Sequence, residues 1–163
     1  MKLVNVKPTY SVWKLTPTLA LGALFLSMAL SAGEAPGVPS QEDQLVAIGC
    51  LRSINTAEVY YAKEYGKGFS STLTALGVPP DGTKVSAGAA GLLDSSLTGG
   101  TKNNFIFRYS AGARGADGNI STYTVMAQPV KWEKGVKSFF TDQTAVIRGS
   151  DQNRPPRASD PAL

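Results

Sequence analysis

Residues 41–65 read QEDQLVAIGCLRSINTAEVYYAKEY and contain no proline. Apolar side chains recur along them at helical spacing and form one stripe, as in an amphipathic helix packed on a core: Ala47, Leu51, Ile54, Tyr61 and Tyr65. Ser40 is a good N-cap residue, Asp43 is placed to complete an approximate capping box, and Gly66 is the expected stop signal. The sequence therefore predicts one long helix from Gln41 to Tyr65.

Two residues within this helix need separate interpretation. Glu58 interrupts the apolar stripe, and we place it at the edge of the stripe, paired with Arg52 or Lys63. Cys50 is the single cysteine of the chain, so no intrachain disulfide can form. Its position midway along the helix favours a small buried hydrophobic side chain, with intermolecular pairing as the alternative.

Strand candidates follow the helix. Residues 104–109 alternate Phe105, Phe107 and Tyr109 on one face, residues 120–127 supply a second strand, and residues 138–148 read as a hairpin with its turn near Asp142. Between helix and strands, residues 73–76 predict a single helical turn, and residues 87–97 predict a short helix or an ordered loop. One long helix before an antiparallel meander predicts an α+β head, the helix packed on a three- to four-stranded antiparallel sheet.

The N-terminal 32 residues read as a targeting segment. Lysines precede a 12-residue apolar run, residues 19–30, and small residues around Ala32 suit cleavage. An uncleaved membrane anchor is the alternative. Residues 33–40 form a linker in which Pro36, Gly37 and Pro39 oppose a continuous helix. Residues 41–150 then form the head, and residues 151–163, with three prolines, predict a disordered tail.

Composition narrows the function classes. The chain has no histidine, so no histidine-based triad and no imidazole general base is possible. Three of the 16 basic residues lie within residues 1–32, which contain no acidic residue, so 13 basic residues face 12 acidic ones beyond them. These basic residues form no stripe that could neutralise a row of phosphates, so we expect no nucleic-acid binding. Because no histidine is available as a general base, we also expect that the protein is not an enzyme.

The segment Asp117-Gly118-Asn119 is the one candidate for a cation site. A calcium ion prefers six or more oxygen ligands, usually including several carboxylates. Residues 109–121 offer only Asp117 and Asn119, with Arg114 nearby. We interpret the segment as an ordinary turn, and we predict no metal and no cofactor.

Three stretches together resemble the heads of type IV pilins and type II secretion pseudopilins. Residues 51–65 resemble the exposed half of the long pilin helix, with an Asn-Thr-Ala-Glu segment before a tyrosine-rich end. Residues 105–109 and 123–127 resemble the central strands. Residues 139–148, FFTDQTAVIR, resemble the closing strand, commonly a Phe-Tyr-Thr-Asp-x-x-Gly-x-Ile-Arg motif. The likeness spans residues 42–148, and the three stretches follow one another along the chain in the same order as in the family.

The N-terminal part departs from that family. A prepilin has a short basic leader ending in glycine, then about 25 apolar helical residues that include a glutamate, and residues 15–32 show no such pattern. The resemblance implies a non-enzymatic, exported accessory or structural subunit of a type IV pilus or a type II secretion pseudopilus, in the periplasm, outside the cell or anchored in the inner membrane.

The alternative function is a free periplasmic or secreted binding module with the same fold. Its partner would be another envelope protein or an extracellular ligand. Exposed aromatic residues are candidates for the partner contact in either case: Tyr60, on the helix side opposite Ile54 and Tyr61, and Trp132, in the turn at residues 128–136. Packing of Trp132 over the sheet edge is the alternative for that residue.

Overall fold

The computed structural model describes residues 37–163 of the chain. The predicted targeting segment and the first four residues of the linker lie outside the described residues, so their interpretation stays a prediction. Within residues 37–163, no helix combines the length and the apolar character that crossing a bilayer requires.

The long helix α1 spans Gln41–Tyr65, as predicted. Ser40 accepts a hydrogen bond from the backbone amide of Asp43 through Oγ at 3.1 Å. Asp43 Oδ2 accepts in return from the backbone amide of Ser40 at 2.9 Å, which completes the capping box. Gly66 ends the helix in the left-handed conformation at φ 62°. The local signals that predict this helix therefore also set both of its ends.

Removing the cap should weaken the head measurably. We expect Ser40→Ala to lower the free energy of unfolding by about 1 kcal/mol, because the amide of Asp43 loses its acceptor. Urea titration of the purified head measures the change. Thr56→Ala, an exposed substitution in the middle of α1, serves as the control and should change stability by no more than about 0.5 kcal/mol. Equal effects of the two variants would contradict a stabilising cap.

The sheet has five antiparallel strands in the order in which they follow one another along the chain: β1 Thr101–Lys102, β2 Phe105–Ala111, β3 Tyr123–Pro129, β4 Ser138–Asp142 and β5 Arg148–Ser150. The α+β class is therefore correct, whereas the predicted count of three to four strands is wrong. Strand β1 is not among the predicted strands, because two residues are too few to show alternation. Asn103 and Asn104 join β1 to β2 with positive φ angles of 47° and 59°, and this two-asparagine turn is the sequence signal for a hairpin.

Two short helices lie between α1 and the sheet. The predicted turn at Leu73–Leu76 is a 3-10 helix. Ser95–Thr98 forms a second helix, α2, which overlaps the end of the stretch predicted as a short helix or ordered loop, residues 87–97. Isolated parallel bridges tie the intervening loops to their neighbours, Gly77 to Leu93 and Gly68 to Ile120. These loops are therefore ordered by backbone pairing with distant segments.

The core lies between α1 and one face of the sheet. The apolar stripe of α1 meets the inward-facing aromatic and aliphatic side chains of the central strands: Leu51, Ile54, Phe105, Phe107, Tyr123, Val125 and Phe139. Phe105 and Phe139 are both essentially inaccessible, and their ring centroids lie 5.8 Å apart. Because α1 packs on this face of the sheet through its apolar stripe, the opposite side of α1 remains exposed to solvent.

Residues 151–163, predicted to form a disordered tail, lie against the edge of the sheet. Gly149 donates a backbone hydrogen bond to Pro161, and Leu163 donates one to Ile147, each at 3.0 Å. Asp160 is 4% exposed and forms a bidentate ion pair with Arg154. The proline content suggested disorder, but the edge of β5 and the buried carboxylate supply the partners that hold this segment.

The ion pair between Arg154 and Asp160 makes the packing of residues 151–163 sensitive to acid. The guanidinium of Arg154 holds the pKa of Asp160 below its ordinary value. A carboxylate whose pKa is lower in the folded state stabilises the protein at pH values above its ordinary pKa of 3.8. This stabilisation is lost as the pH falls through the folded-state pKa. We therefore expect Asp160→Asn to be destabilising at pH 7 and its deficit to shrink below pH 4, measured by urea unfolding across that range. A deficit that grows on acidification would contradict this assignment.

The start of α1 is fastened to the β1–β2 turn. The side chains of Asn103 and Asn104 both donate to the Asp43 carboxylate, at 3.2 and 3.3 Å. Asn104 Oδ1 also accepts from the backbone amide of Gly37 at 3.0 Å. The backbone hydrogen bond from Ser40, followed by the side-chain bonds from Asn103 and Asn104, lowers the pKa of Asp43 below its ordinary value. The chain therefore reaches the helix along a path fixed by the sheet.

Candidate functional site

Glu58 lies inside the protein, so its predicted place at the helix edge is wrong. The residue is 0% exposed. Its two carboxylate oxygens accept hydrogen bonds from Ser70, from the backbone amide at 2.8 Å and from the hydroxyl at 2.6 Å. The predicted pairing with Arg52 or Lys63 is absent from the described residues, since both of these side chains face solvent. Glu58 thus fastens the loop after α1 to the helix.

A tyrosine of the sheet completes this buried cluster. Tyr109 donates from its hydroxyl to the backbone carbonyl of Ser70 at 2.8 Å. Burial raises the pKa of Tyr109 well above its ordinary value. The phenol therefore stays protonated and remains a donor throughout the physiological range. The cluster of Glu58, Ser70 and Tyr109 joins helix, loop and strand β2, which suits structural support.

A second polar cluster lies under the middle of α1. Asn55 is 6% exposed and accepts from the hydroxyl of Tyr123 at 2.9 Å. Its Nδ2 donates to Thr141 Oγ1 on β4 at 2.9 Å. The two clusters bond consecutive turns of one helix face to the sheet, so α1 has little freedom to rotate. This fixed rotation sets which residues face solvent.

Tyr60 faces solvent from this fixed helix, as predicted, and is 59% exposed. It lines an open groove of about 430 Å³ between α1 and the segment that leads into α2. A second groove of about 430 Å³ adjoins it towards the start of the helix and shares three lining residues: Ser53, Leu92 and Leu93. We call this continuous surface the helix-side groove; Arg52, Tyr60 and Leu92 are its largest exposed members.

Charged groups border the helix-side groove near α2. Asp94 caps α2 by accepting from the amide of Leu97 at 3.0 Å, and Lys102 forms an ion pair with it at 3.1 Å. Hydrogen bonds from Ser96, Leu97 and Lys102 lower the pKa of Asp94 to about 2. This border therefore carries a paired positive and negative charge at neutral pH.

Cys50 lies in the wall of the groove yet is 7% exposed, which confirms the interpretation as a buried hydrophobic residue. Burial raises the pKa of its thiol. The reactive thiolate is therefore disfavoured at this position.

Trp132 lies on a different surface. It is half-buried and lines a pocket of about 260 Å³ together with the C-terminal segment, including Arg154 and Pro155. Its indole Nε1 is buried and finds no hydrogen-bond partner among the described residues. The packing interpretation fits Trp132 better than a contact role, because its indole Nε1 is buried against its own chain. The two predicted contact residues thus do not share a site.

The turn at residues 117–119 holds its polar groups in local hydrogen bonds. The Asp117 carboxylate accepts from the backbone amide of Asn119 at 3.0 Å and from its side-chain amide at 2.8 Å. Across residues 37–163, no cluster of three or more cysteine or acidic residues is placed to hold a metal ion.

The two polar clusters are buried and internally hydrogen-bonded, whereas the part of the helix-side groove around Tyr60 is open and is lined by Arg52 together with small, apolar and aromatic side chains. The sequence predicts that Tyr60 is exposed, but it does not predict that Arg52 and Leu92 line the same groove. No local sequence pattern shows that the loop containing Leu92 lies beside the helix. Comparison with family models, with curated proteins and with solved structures gave no match to this chain.

Proposed function

We propose that the chain is an exported, non-enzymatic pilin-like protein, a structural or accessory component of a type IV pilus or a type II secretion pseudopilus. The observation that carries the proposal is the placement of the resembling motifs on the fold. The Asn-Thr-Ala-Glu segment, residues 55–58, lies in the middle of α1 and contains both buried and exposed positions. The FFTDQTAVIR segment runs through β4 and the following turn into the first residue of β5.

The buried polar clusters give that motif placement a physical reason. Asn55 and Glu58 belong to the first motif, and they bond Tyr123, Thr141 and Ser70 beneath the helix. Thr141 in turn belongs to the FFTDQTAVIR motif. Two stretches far apart in sequence therefore resemble the family at the residues that hold helix and sheet together.

The helix-side groove is the surface that we assign to the partner contact. Tyr60 supplies an exposed aromatic ring, and Leu92 adds an apolar side chain that is 38% exposed. Aromatic residues and arginine are the types most often responsible for binding energy at protein interfaces. The proposed partners are pilin-like subunits of the filament or secretion system, or another envelope protein.

Site-specific photo-crosslinking tests this assignment. A benzophenone amino acid in place of Tyr60, in cells grown under conditions that assemble pili or secretion systems, should give adducts that contain a pilin-like subunit. The same amino acid in place of Gln143, which is exposed in the turn between β4 and β5, is the matched control. Equal adducts from both positions, or none from position 60, would contradict the helix-side groove as the contact surface.

Export itself is tested by the mature N-terminus. Mass spectrometry of the protein from membrane, periplasmic and medium fractions should find it outside the cytoplasm. An intact N-terminus in the membrane fraction supports an anchored accessory subunit. A start near Ala32 in a soluble fraction favours instead the free binding module, and a cytoplasmic chain contradicts both.

A further inference from the structure

The loop between β2 and β3 contains an unused motif, Asn119-Ile120-Ser121. Asn-x-Ser with a central residue other than proline is the acceptor pattern for N-glycosylation. Asn119 is the only one of the six asparagines in the chain that is followed two positions later by serine or threonine. We propose that Asn119 is an N-glycosylation site, modified by a glycan during export. The inference rests on the export that belongs to the proposed function.

The surroundings of Asn119 can accommodate a glycan. Asp117, Gly118 and Ser121 are exposed, and Asn119 is partly exposed. A Cβ atom built on Gly118 would meet no heavy atom within 4 Å, so the turn has open space beside it. By contrast, Asn55 is 6% exposed beneath α1. A bulky, solvated group fits a surface turn of this kind.

The chemistry needs an activated sugar and a transferase from outside this chain. The donor is a glycan whose anomeric carbon carries a diphosphate leaving group. The bond from that carbon to the diphosphate oxygen breaks and the oxygen keeps the electron pair, while a new bond forms from the carbon to Asn119 Nδ2. Nδ2 loses one of its two protons, which the released diphosphate takes up. No redox change accompanies the transfer.

The bond between Asp117 and Asn119 in the folded turn is compatible with a glycan on Asn119. The Asp117 carboxylate accepts a hydrogen bond from Asn119 Nδ2, the atom that must lose a proton. Hydrogen bonds from the backbone amide and then the side chain of Asn119 hold the pKa of Asp117 below its ordinary value, so the group is ionised at neutral pH. The product amide keeps one N–H, which can still donate to Asp117 after transfer.

The centre of the motif fixes when the transfer takes place. Ile120 is 3% exposed, and its backbone is bonded to Lys67 and Phe69. A transferase that grips Asn119 and Ser121 together must lift Ile120 out of the protein. The acceptor is therefore the newly exported chain before this loop has closed, and the folded head then presents the glycan on its surface.

Mass spectrometry of the full chain, purified from the cell envelope of its own host, tests the proposal. The expected protein is heavier than its mature polypeptide by one glycan, and fragment ions place that mass on the peptide containing Asn119. Asn119→Gln and Ser121→Ala should abolish the modification, whereas Ser121→Thr, the matched control, should retain it.

Several outcomes would overturn the inference. An exported protein with unmodified Asn119 refutes the glycosylation and leaves the proposed function standing. A modification that survives Ser121→Ala refutes the assignment of the motif. An unmodified fraction confined to the cytoplasm refutes export and the glycosylation with it. Circular dichroism of each variant shows whether the head has folded, and a folded, exported, unmodified Ser121→Thr protein also counts against the site.

Discussion

Gly68→Ala is expected to destabilise the head by about 3 kcal/mol or more, combining backbone strain with lost hydrogen bonds. Gly68 has a φ of 74°, where L-residues with a side chain are strained. A Cβ at this position would lie 2.1 Å from the carbonyl oxygen of Ile120. That oxygen accepts from the amide of Phe69 at 2.8 Å. Relief of the clash must therefore separate the loop after α1 from the β2–β3 loop.

Gly66→Ala separates the clash from the backbone strain. Gly66 also has a positive φ, 62°, but a Cβ there would meet nothing within 4 Å. We expect this variant to lose about 1 kcal/mol, the cost of the left-handed conformation alone. Urea unfolding of the two purified variants measures both values. If the two losses are equal, the close approach of Gly68 to Ile120 contributes nothing to stability.

Glu58→Ala should cost about 3 kcal/mol, because the buried backbone amide of Ser70 loses its acceptor, the Ser70 hydroxyl loses its shortest hydrogen bond, and a cavity opens under α1. Both donors lie within 2.8 Å of the Glu58 carboxylate, and the site excludes solvent. Glu58→Gln should fall between the wild type and the alanine variant, since an amide oxygen can still accept one of these bonds. Thermal and urea unfolding measure the three proteins.

Glu64→Ala is the matched control for this substitution. Glu64 lies on the same helix and is exposed, so its removal should change stability by no more than about 0.5 kcal/mol. Near-native stability of Glu58→Ala would contradict the role assigned to the buried cluster. It would also remove the physical reason that we give for the Asn-Thr-Ala-Glu motif.

The features that the sequence predicted correctly depend on nearby residues. Helix α1 has its cap at Ser40, its stripe and its stop at Gly66 within one stretch, so local patterning located both ends. Strands β2 and β3 show alternation over five or more residues. The exposure of Tyr60 also followed from the helical repeat alone.

The features that the sequence did not predict depend on contacts between residues that are far apart in the chain. Glu58 is acceptable in the core only because Ser70 and Tyr109 come to it, and no spacing rule relates these residues. The segment after residue 150 is ordered by the edge of β5 and by Asp160, whereas its prolines suggested disorder. The helix-side groove exists because the segment leading to α2 lies alongside α1, a tertiary arrangement that periodicity does not contain.

The fastening of the helix start to the β1–β2 turn has a mechanical consequence. A pull on the chain at Gly37 loads its hydrogen bond to Asn104, 67 residues away in sequence, before it loads the first turn of α1. Asp43 passes the same tension to Asn103 and Asn104 as well as to the helix. The load is thus shared between helix and hairpin in parallel, so the head resists peeling open one turn at a time when it is held by its N-terminal side.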